Sequence, residues 1–175
     1  MFFITHGARS PEAHGLTLGP SLVLPKSVGY VDLRSADPLD KVLIDHNYLS
    51  HQDDIQILVE GVKQARKVLK TSPFEPYLGD VHIPGPEIQS DEEIAEFIRD
   101  YYQTVYHPTG TCKMGNDDMS VVDSQLRVRG LLGLRVADAS IMPFIVNANT
   151  QASCVMIGEK CANMILQKKD PIAKL

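Results

Sequence analysis

Apolar and polar positions alternate near the start of the chain. Residues 29–35 alternate with one apolar side, which predicts a half-buried β-strand. Residues 36–38, Ala-Asp-Pro, predict a turn. Residues 41–44 predict a second strand, antiparallel to the first or close to it. The pattern therefore indicates a pair of short strands before any helix.

The pattern then changes to a helical period. Apolar residues recur at intervals of three and four over residues 53–70, and the segment 50–53 before them has the spacing of a capping box. The segment 90–93 repeats that spacing, and the apolar positions after it predict a second helix that ends at His107-Pro108.

The last third of the chain is mixed. Residues 107–130 show neither period and predict a loop that holds several polar side chains. Residues 134–138 predict a short strand. Residues 152–166 predict a largely buried helix, for which Asn149-Thr150 is a suitable N-cap.

Length and charge limit the classes of function. A chain of 175 residues suits one domain, and its formal net charge is -5 with no basic run. Because phosphate binding needs clustered lysine and arginine, a nucleic-acid partner is not expected. No stretch approaches the ~20 apolar residues that span a bilayer, so no membrane span is expected either.

The three cysteines, Cys112, Cys154 and Cys161, show neither disulfide nor zinc-like spacing. If the last two share a helix, they lie about 10.5 Å apart along its axis. A disulfide needs Cα atoms within about 7 Å. We expect these two cysteines to be packing residues, which favours a reducing compartment such as the cytoplasm.

One histidine has a setting suited to catalysis. His107 follows a predicted helix end and opens a glycine-containing loop, where it could act as a base or acid near neutral pH. The alternative is a loop histidine without a chemical role. The sequence contains no nucleophile elbow and no phosphate-binding glycine loop. It also contains no zinc-binding spacing, so we predict no metal site. The other histidines are expected at the surface: His6, His14, His46, His51 and His82.

Several blocks of sequence, in the same order, resemble the glucose-methanol-choline (GMC) oxidoreductase family. Residues 107–115 look like the family's active-site loop, and residues 134–143 are similar to the strand that returns to its FAD-binding domain. The other similar blocks are residues 25–38, 44–49, 121–128 and 149–160.

The resemblance implies an α+β fold in three parts. After a linker over residues 1–24, residues 25–130 would form a substrate-binding domain, a mostly antiparallel sheet with flanking helices that includes the active-site loop. Residues 131–175 would return as a strand and a helix that complete a Rossmann-like FAD-binding domain. Because the family's N-terminal glycine motif is absent, the resemblance also implies a missing FAD-binding half or a partner chain that supplies it.

The resemblance assigns chemistry to two residues. It makes His107 the base that takes the alcohol's hydroxyl proton while hydride moves to flavin N5, and it places Asn149 at the second active-site position. The expected function is the C-terminal part of an FAD-dependent oxidoreductase that oxidises a small primary alcohol. A truncated, non-catalytic remnant and a subunit that completes another chain's site are the alternatives. The alcohol and the electron acceptor stay open.

The resemblance also assigns four residues to the FAD cofactor. Asp138 and Ala139 would approach it, and the backbone at Thr150 and Gln151 would meet the flavin's pyrimidine edge. A helix N-terminus at that place would stabilise the anionic reduced flavin. The plainer alternatives are that Asp138 is a turn residue and that Asn149 only caps the helix.

Overall fold

The structure is a computed structural model that describes residues 15–81, 83–147 and 149–167. Four parts of the chain lie outside the described residues: residues 1–14 of the predicted linker, residue 82, residue 148, and residues 168–175 of the predicted C-terminal segment. They include His6, His14 and His82. Internal contacts divide the chain into two units. Among the described residues, the first unit contains residues 15–29 and Asp45–Val105, and the second contains Tyr30–Ile44 and residues 106–167.

Two amphipathic helices form the core of the first unit. Helix α1 spans Gln52–Leu69 and helix α2 spans Asp91–Tyr101, and the two pack against each other. Both predicted helices are confirmed. Each fully buried apolar side chain contributes roughly 1.5–3 kcal/mol to folding. The buried apolar residues of this core are Ile55, Val59, Val62, Ile94 and Ile98.

The starts of the two helices differ from each other. The capping box at α2 is confirmed, because Ser90 accepts from the amide of Glu93 and the Glu93 carboxylate accepts from the amide of Ser90. The capping box predicted at residues 50–53 is wrong. His51 is the N-cap of α1, and its Nδ1 accepts from the amide of Asp53 at 3.2 Å. A ring nitrogen here takes the role that the sequence pattern gave to a hydroxyl.

Helix α2 also ends earlier than predicted. Its last residue is Tyr101, and Tyr102 is already extended, with φ -60° and ψ 149°. The Tyr102 ring packs edge-on against Tyr48, with 5.5 Å between ring centroids. The last helical residue therefore lies six residues before His107. Pro108 does not set this helix end, because a proline restricts the backbone only of the residue that precedes it.

A buried carboxylate fixes the segment before α1. Asp54 is fully buried and accepts three hydrogen bonds, from the amide of Lys26 at 2.9 Å and from the amide and hydroxyl of Ser27 at 2.8 and 2.5 Å. Burial alone raises the pKa of this carboxyl, but the hydrogen bonds from Lys26 and Ser27 outweigh it and lower the pKa below the ordinary value of 3.8. The Ser27 hydroxyl also accepts from the amide of His51, so the network reaches the N-cap.

Replacing Asp54 with asparagine is expected to lower the free energy of unfolding by about 2–4 kcal/mol at neutral pH, because an amide nitrogen would face backbone donors. Since the folded-state pKa is lowered, the stabilising effect of Asp54 is complete above the ordinary pKa and is lost as the pH falls below 3.8. Urea unfolding of both proteins across this range measures the difference.

The matched control is Asp53→Asn. Asp53 is the adjacent residue, and its ion pair with Lys26 is largely exposed, so its loss should leave the free energy of unfolding nearly unchanged. Equal losses in the two variants, or a difference that does not change with acid, would contradict a structural role for the buried carboxylate.

The two predicted strands are confirmed as a small antiparallel sheet. Strand β1 spans Tyr30–Asp32 and strand β2 spans Leu43–Asp45, and each is shorter than predicted. The expectation that the first strand is half-buried is wrong, because all three of its residues are exposed. Within the part of the chain that the structure describes, no layer covers either face of β1.

The second unit has a core built from loops and one helix. Three isolated bridges join its loop segments: Met114 to Val122, Val122 to Val128, and Arg127 to Arg135. The strand predicted over residues 134–138 is wrong, because only Arg135 of this segment makes a bridge. The chain turns at Gly133, where φ is 75°, and again at Asp138, where a 3₁₀ turn begins. The buried core residues are Val122, Leu126, Ile141, Met142, Ile157 and Cys161.

Helix α3 spans Gln151–Gln167 and contributes one narrow stripe to this core. Ile157 and Cys161 are buried, whereas Val155 and Ile165 are 62% and 53% exposed. The helix is confirmed, but the prediction that it is largely buried is wrong for this chain, because the core covers one side of it only. All three cysteines are free thiols, and Cys161 is a packing residue as expected. Within the described residues, no helix combines the length and apolarity of a membrane-spanning segment.

Candidate active site

The side chain of His107 is held by a residue distant in sequence. Its Nδ1 lies 2.9 Å from Oγ1 of Thr150, 43 residues later, and both belong to the second unit. His107 is half-buried, and Thr150 is 6% exposed. The residue before the histidine, Tyr106, has φ 63°, a left-handed conformation that is uncommon for a bulky side chain. Such strain is kept only where the surroundings determine the local structure.

The loop after His107 is attached to the turn that contains Asp138. The amide of Cys112 donates to the carbonyl of Ser140 at 3.0 Å, and the amide of Met114 donates to that of Ile141 at 2.8 Å. The loop needs a left-handed residue to reach this position, and Gly110 supplies it with φ 90°. The loop after His107 is therefore held along its second half by backbone hydrogen bonds.

An ionic network supports the same loop at its end. The Lys113 ammonium lies 3.0 Å from the Asp117 carboxylate, and this hydrogen bond, with one from Ser120, holds the pKa of Asp117 below its ordinary value. The Arg129 guanidinium donates to the carbonyls of Gly115 and Asp117 at 2.7 and 3.3 Å. This role of Arg129 was not predictable from the sequence, because a contact with carbonyl oxygens 12 and 14 residues away has no motif.

A second ion pair stabilises the neighbouring turn. Arg127 donates from Nε and Nη2 to one oxygen of Asp123 at 2.8 and 2.7 Å. This hydrogen bond, with amide donors from Arg127 and Gln125, lowers the pKa of Asp123 to about 2. The carboxylate stays ionised at any physiological pH, which suits a structural role.

Thr150 is the residue from which α3 begins. Its carbonyl accepts from the amide of Cys154 at 2.9 Å, which is the bond made by an N-cap residue. The N-cap predicted at Asn149-Thr150 is therefore Thr150 itself. Asn149 precedes the cap and is exposed, as is Gln151 at the first helical position.

The two remaining predicted residues lie in the 3₁₀ turn. Asp138 caps this turn, since its carboxylate accepts from the amide and hydroxyl of Ser140 at 2.8 and 2.5 Å. Ala139 packs against the core of the second unit. Within this chain, the contacts of Asp138 are those of a turn residue, which was the plainer alternative. The backbone hydrogen bond from Cys112 connects this turn to the loop after His107.

This arrangement can transfer a proton. The Thr150 hydroxyl occupies one ring nitrogen of His107, which leaves Nε2 as the nitrogen that can exchange a proton with another molecule. The first amide of α3 that donates to a carbonyl of its own helix is that of Cys154, which bonds to Thr150. The amides of the first turn precede it, and amides in this position favour an anion. Within the described residues, no three histidine, cysteine or acidic side chains lie together as metal ligands would.

Known proteins resemble this chain in sequence over most of its length. The GMC oxidoreductase family model matches residues 25–158. An alcohol dehydrogenase (acceptor) of Pseudomonas putida is 45% identical over 165 residues, which cover 94% of this chain and 30% of the relative. An oxygen-dependent choline dehydrogenase of Escherichia coli O157:H7 is 42% identical over 164 residues, or 94% of this chain and 29% of the relative. The chain spans about 30% of the length of these relatives.

The resemblance extends to structure. Formate oxidase of Aspergillus oryzae RIB40, solved to study the effect of a mutation on FAD modification, superposes with a TM-score of 0.75 at 36% sequence identity. The superposition covers 81% of this chain and 25% of the formate oxidase chain.

Proposed function

The chain belongs to the GMC oxidoreductase family, and from this we propose that it is the C-terminal part of an FAD-dependent enzyme that oxidises a small primary alcohol. The observation that carries the proposal is the hydrogen bond between His107 and Thr150, which holds a histidine at the start of a helix whose amides favour an anion. The names of the relatives, an alcohol dehydrogenase and a choline dehydrogenase, support the class of substrate.

The residues at the start of α3 fit a flavin by the chemistry of their donors. The backbone amides of the first turn, at and after Gln151, can donate to the carbonyl and nitrogen edge of a flavin, and the helix dipole favours the negative charge of its reduced form. Ala139 offers a small side chain beside the Asp138 turn, which allows close approach of a cofactor. FAD, when bound, supplies the acceptor for the hydride that leaves the alcohol carbon.

His107 and Asn149 then have different roles at the hydroxyl group of the alcohol. His107 takes the hydroxyl proton at Nε2, which raises the electron density on the oxygen and favours loss of hydride from the adjacent carbon. Asn149, exposed just before α3, donates an amide hydrogen bond to the same oxygen as negative charge develops on it.

The proposed domain plan follows the family. Residues 25–130 form the substrate-binding domain with the active-site loop, and residues 131–175 return to an FAD-binding domain, where they complete a Rossmann-like fold. The exposed apolar side chains of α3, such as Val155 and Ile165, support this plan because a further layer would cover them. The rest of the FAD-binding domain would come from the N-terminal half of the protein or from a partner chain.

The proposal is tested on the complete protein. We expect the purified protein to contain FAD and to convert primary alcohols to aldehydes, with choline and short aliphatic alcohols as the first substrates to assay. Protein that holds no flavin when refolded or expressed with excess FAD, or flavin-loaded protein that oxidises no alcohol in a broad panel, would contradict it. The non-catalytic remnant would then be the better interpretation.

A further inference from the structure

We propose that Thr150 is a positioning residue for His107: its hydroxyl oxygen accepts the Nδ1 proton and so leaves Nε2 as the basic nitrogen. This inference rests on the proposed function and goes beyond it, because the family resemblance implied a role only for the backbone of Thr150. The contact is 2.9 Å long between Nδ1 and Oγ1.

The direction of this hydrogen bond follows from what a base must do. A neutral imidazole carries one proton, so Nε2 can accept a proton only if Nδ1 carries the existing one. After the transfer, the alcohol's O–H bond is broken and both ring nitrogens carry protons. A threonine oxygen that accepts from Nδ1 makes the same bond before and after the transfer. A threonine that donated to Nδ1 would have to reverse its bond at every turnover.

Thr150 is suited to this task because it cannot move easily. It is 6% exposed, and its carbonyl is bonded to the amide of Cys154, so its backbone belongs to the start of α3. One turn further along, Ile157 is buried in the core of the second unit. The hydroxyl that meets the histidine is therefore fixed by the packing of a helix, and precise placement of this kind is what a catalytic group requires.

The same helix start links two functions. Asn149 and Thr150 are consecutive, so one backbone segment places the proposed oxygen-binding amide and the hydroxyl that orients the base. The side-chain oxygen of an N-cap residue ordinarily accepts from an amide of its own helix. Here that oxygen meets a ring nitrogen 43 residues away.

The first test is the tautomer of the wild-type ring. We expect the nitrogen chemical shifts of His107, in full-length protein labelled with ¹⁵N-histidine, to show a neutral ring protonated at Nδ1. The His107 signals are identified by their loss in His107→Asn. A ring protonated at Nε2 would overturn the proposal, and this measurement needs no Thr150 variant to fold.

The second test separates the hydroxyl from the shape of the side chain. Thr150→Val keeps the branched shape and removes the hydroxyl, and we expect it to slow alcohol-dependent flavin reduction about tenfold at saturating substrate, with unchanged flavin content. Thr150→Ser restores the hydroxyl and should stay within about twofold of wild type.

The two proposals fail in different ways. If Thr150→Val reduces its flavin at the wild-type rate while His107→Asn does not, only the positioning role is wrong. If His107→Asn also reduces its flavin normally, the proposed function is wrong and the positioning role with it. A loss of activity that Thr150→Ser shares fully with Thr150→Val would show that the hydroxyl is not the cause.

Discussion

Replacing His107 with alanine is expected to lower turnover of the complete, flavin-loaded enzyme by about 10²–10⁴, the usual contribution of a positioned general base. The bound flavin should stay in place, because the proposed contacts with it come from the start of α3 and from the Asp138 turn. Steady-state rates with a saturating alcohol, on samples normalised by flavin content, measure the effect.

His46→Ala is the matched control. His46 is exposed and stacks on Tyr48 in the first unit, with 5.0 Å between ring centroids, so its loss should leave turnover near the wild-type value. A near-normal rate for His107→Ala, in a sample that keeps its flavin, would show that another group is the base.

Replacing Asn149 with aspartate is expected to lower turnover by about 10²–10³, close to the loss seen when one oxyanion donor is removed. The new carboxylate would face an oxygen on which negative charge develops. Stability should change little, because Asn149 is exposed and the backbone carbonyl that accepts from Cys154 at the start of α3 belongs to Thr150. Turnover and melting temperature of the variant together separate the chemical role from a structural one.

Two further variants sharpen this test. Asn149→His should keep partial activity, because an imidazole can also donate to the oxygen. Asn163→Asp adds the same charge near the other end of α3, where the Asn163 amide donates to the carbonyl of Glu159, and should leave turnover unchanged. Normal turnover of Asn149→Asp would remove Asn149 from the active site.

The sequence predicted those parts of the fold that local pattern controls. Helices α1 and α2 follow from their apolar periodicity, and the Ser90 capping box from its spacing. The same spacing at residues 50–53 was misleading, because His51 competes for the cap and no local rule gives a ring nitrogen priority. The strand pair was correctly placed, since a turn with aspartate and proline separates its two apolar segments.

Tertiary contacts determine the parts of the fold that the sequence pattern did not predict. The segment 134–138 has a strand-like composition, yet it makes one bridge only, because Gly133 and Asp138 turn the chain at both ends. Burial of α3 was overestimated because apolar content does not show which sides of a helix find a partner in the chain at hand.

The candidate site was likewise predictable from the sequence only in part. The resemblance to the GMC family, which the family match and the 45% identical relative confirm, was readable from the block that contains His107. The assignments of individual residues remain predictions. The partner of His107 was not readable, because a hydroxyl 43 residues away carries no signal in a single sequence. Arg129 was missed for the same reason, since its contacts are with backbone oxygens.

The most direct test of the central claim is the single-turnover rate of flavin reduction, measured without oxygen after mixing the complete enzyme with a primary alcohol. This measurement isolates the chemical step from reoxidation and product release. We predict rapid reduction in wild type and in His46→Ala, and reduction slower by about 10²–10⁴ in His107→Ala with the same flavin content. Equal rates in the three proteins, or no reduction by any alcohol in flavin-loaded wild type, would contradict a flavin-dependent alcohol oxidation that uses His107 as its base.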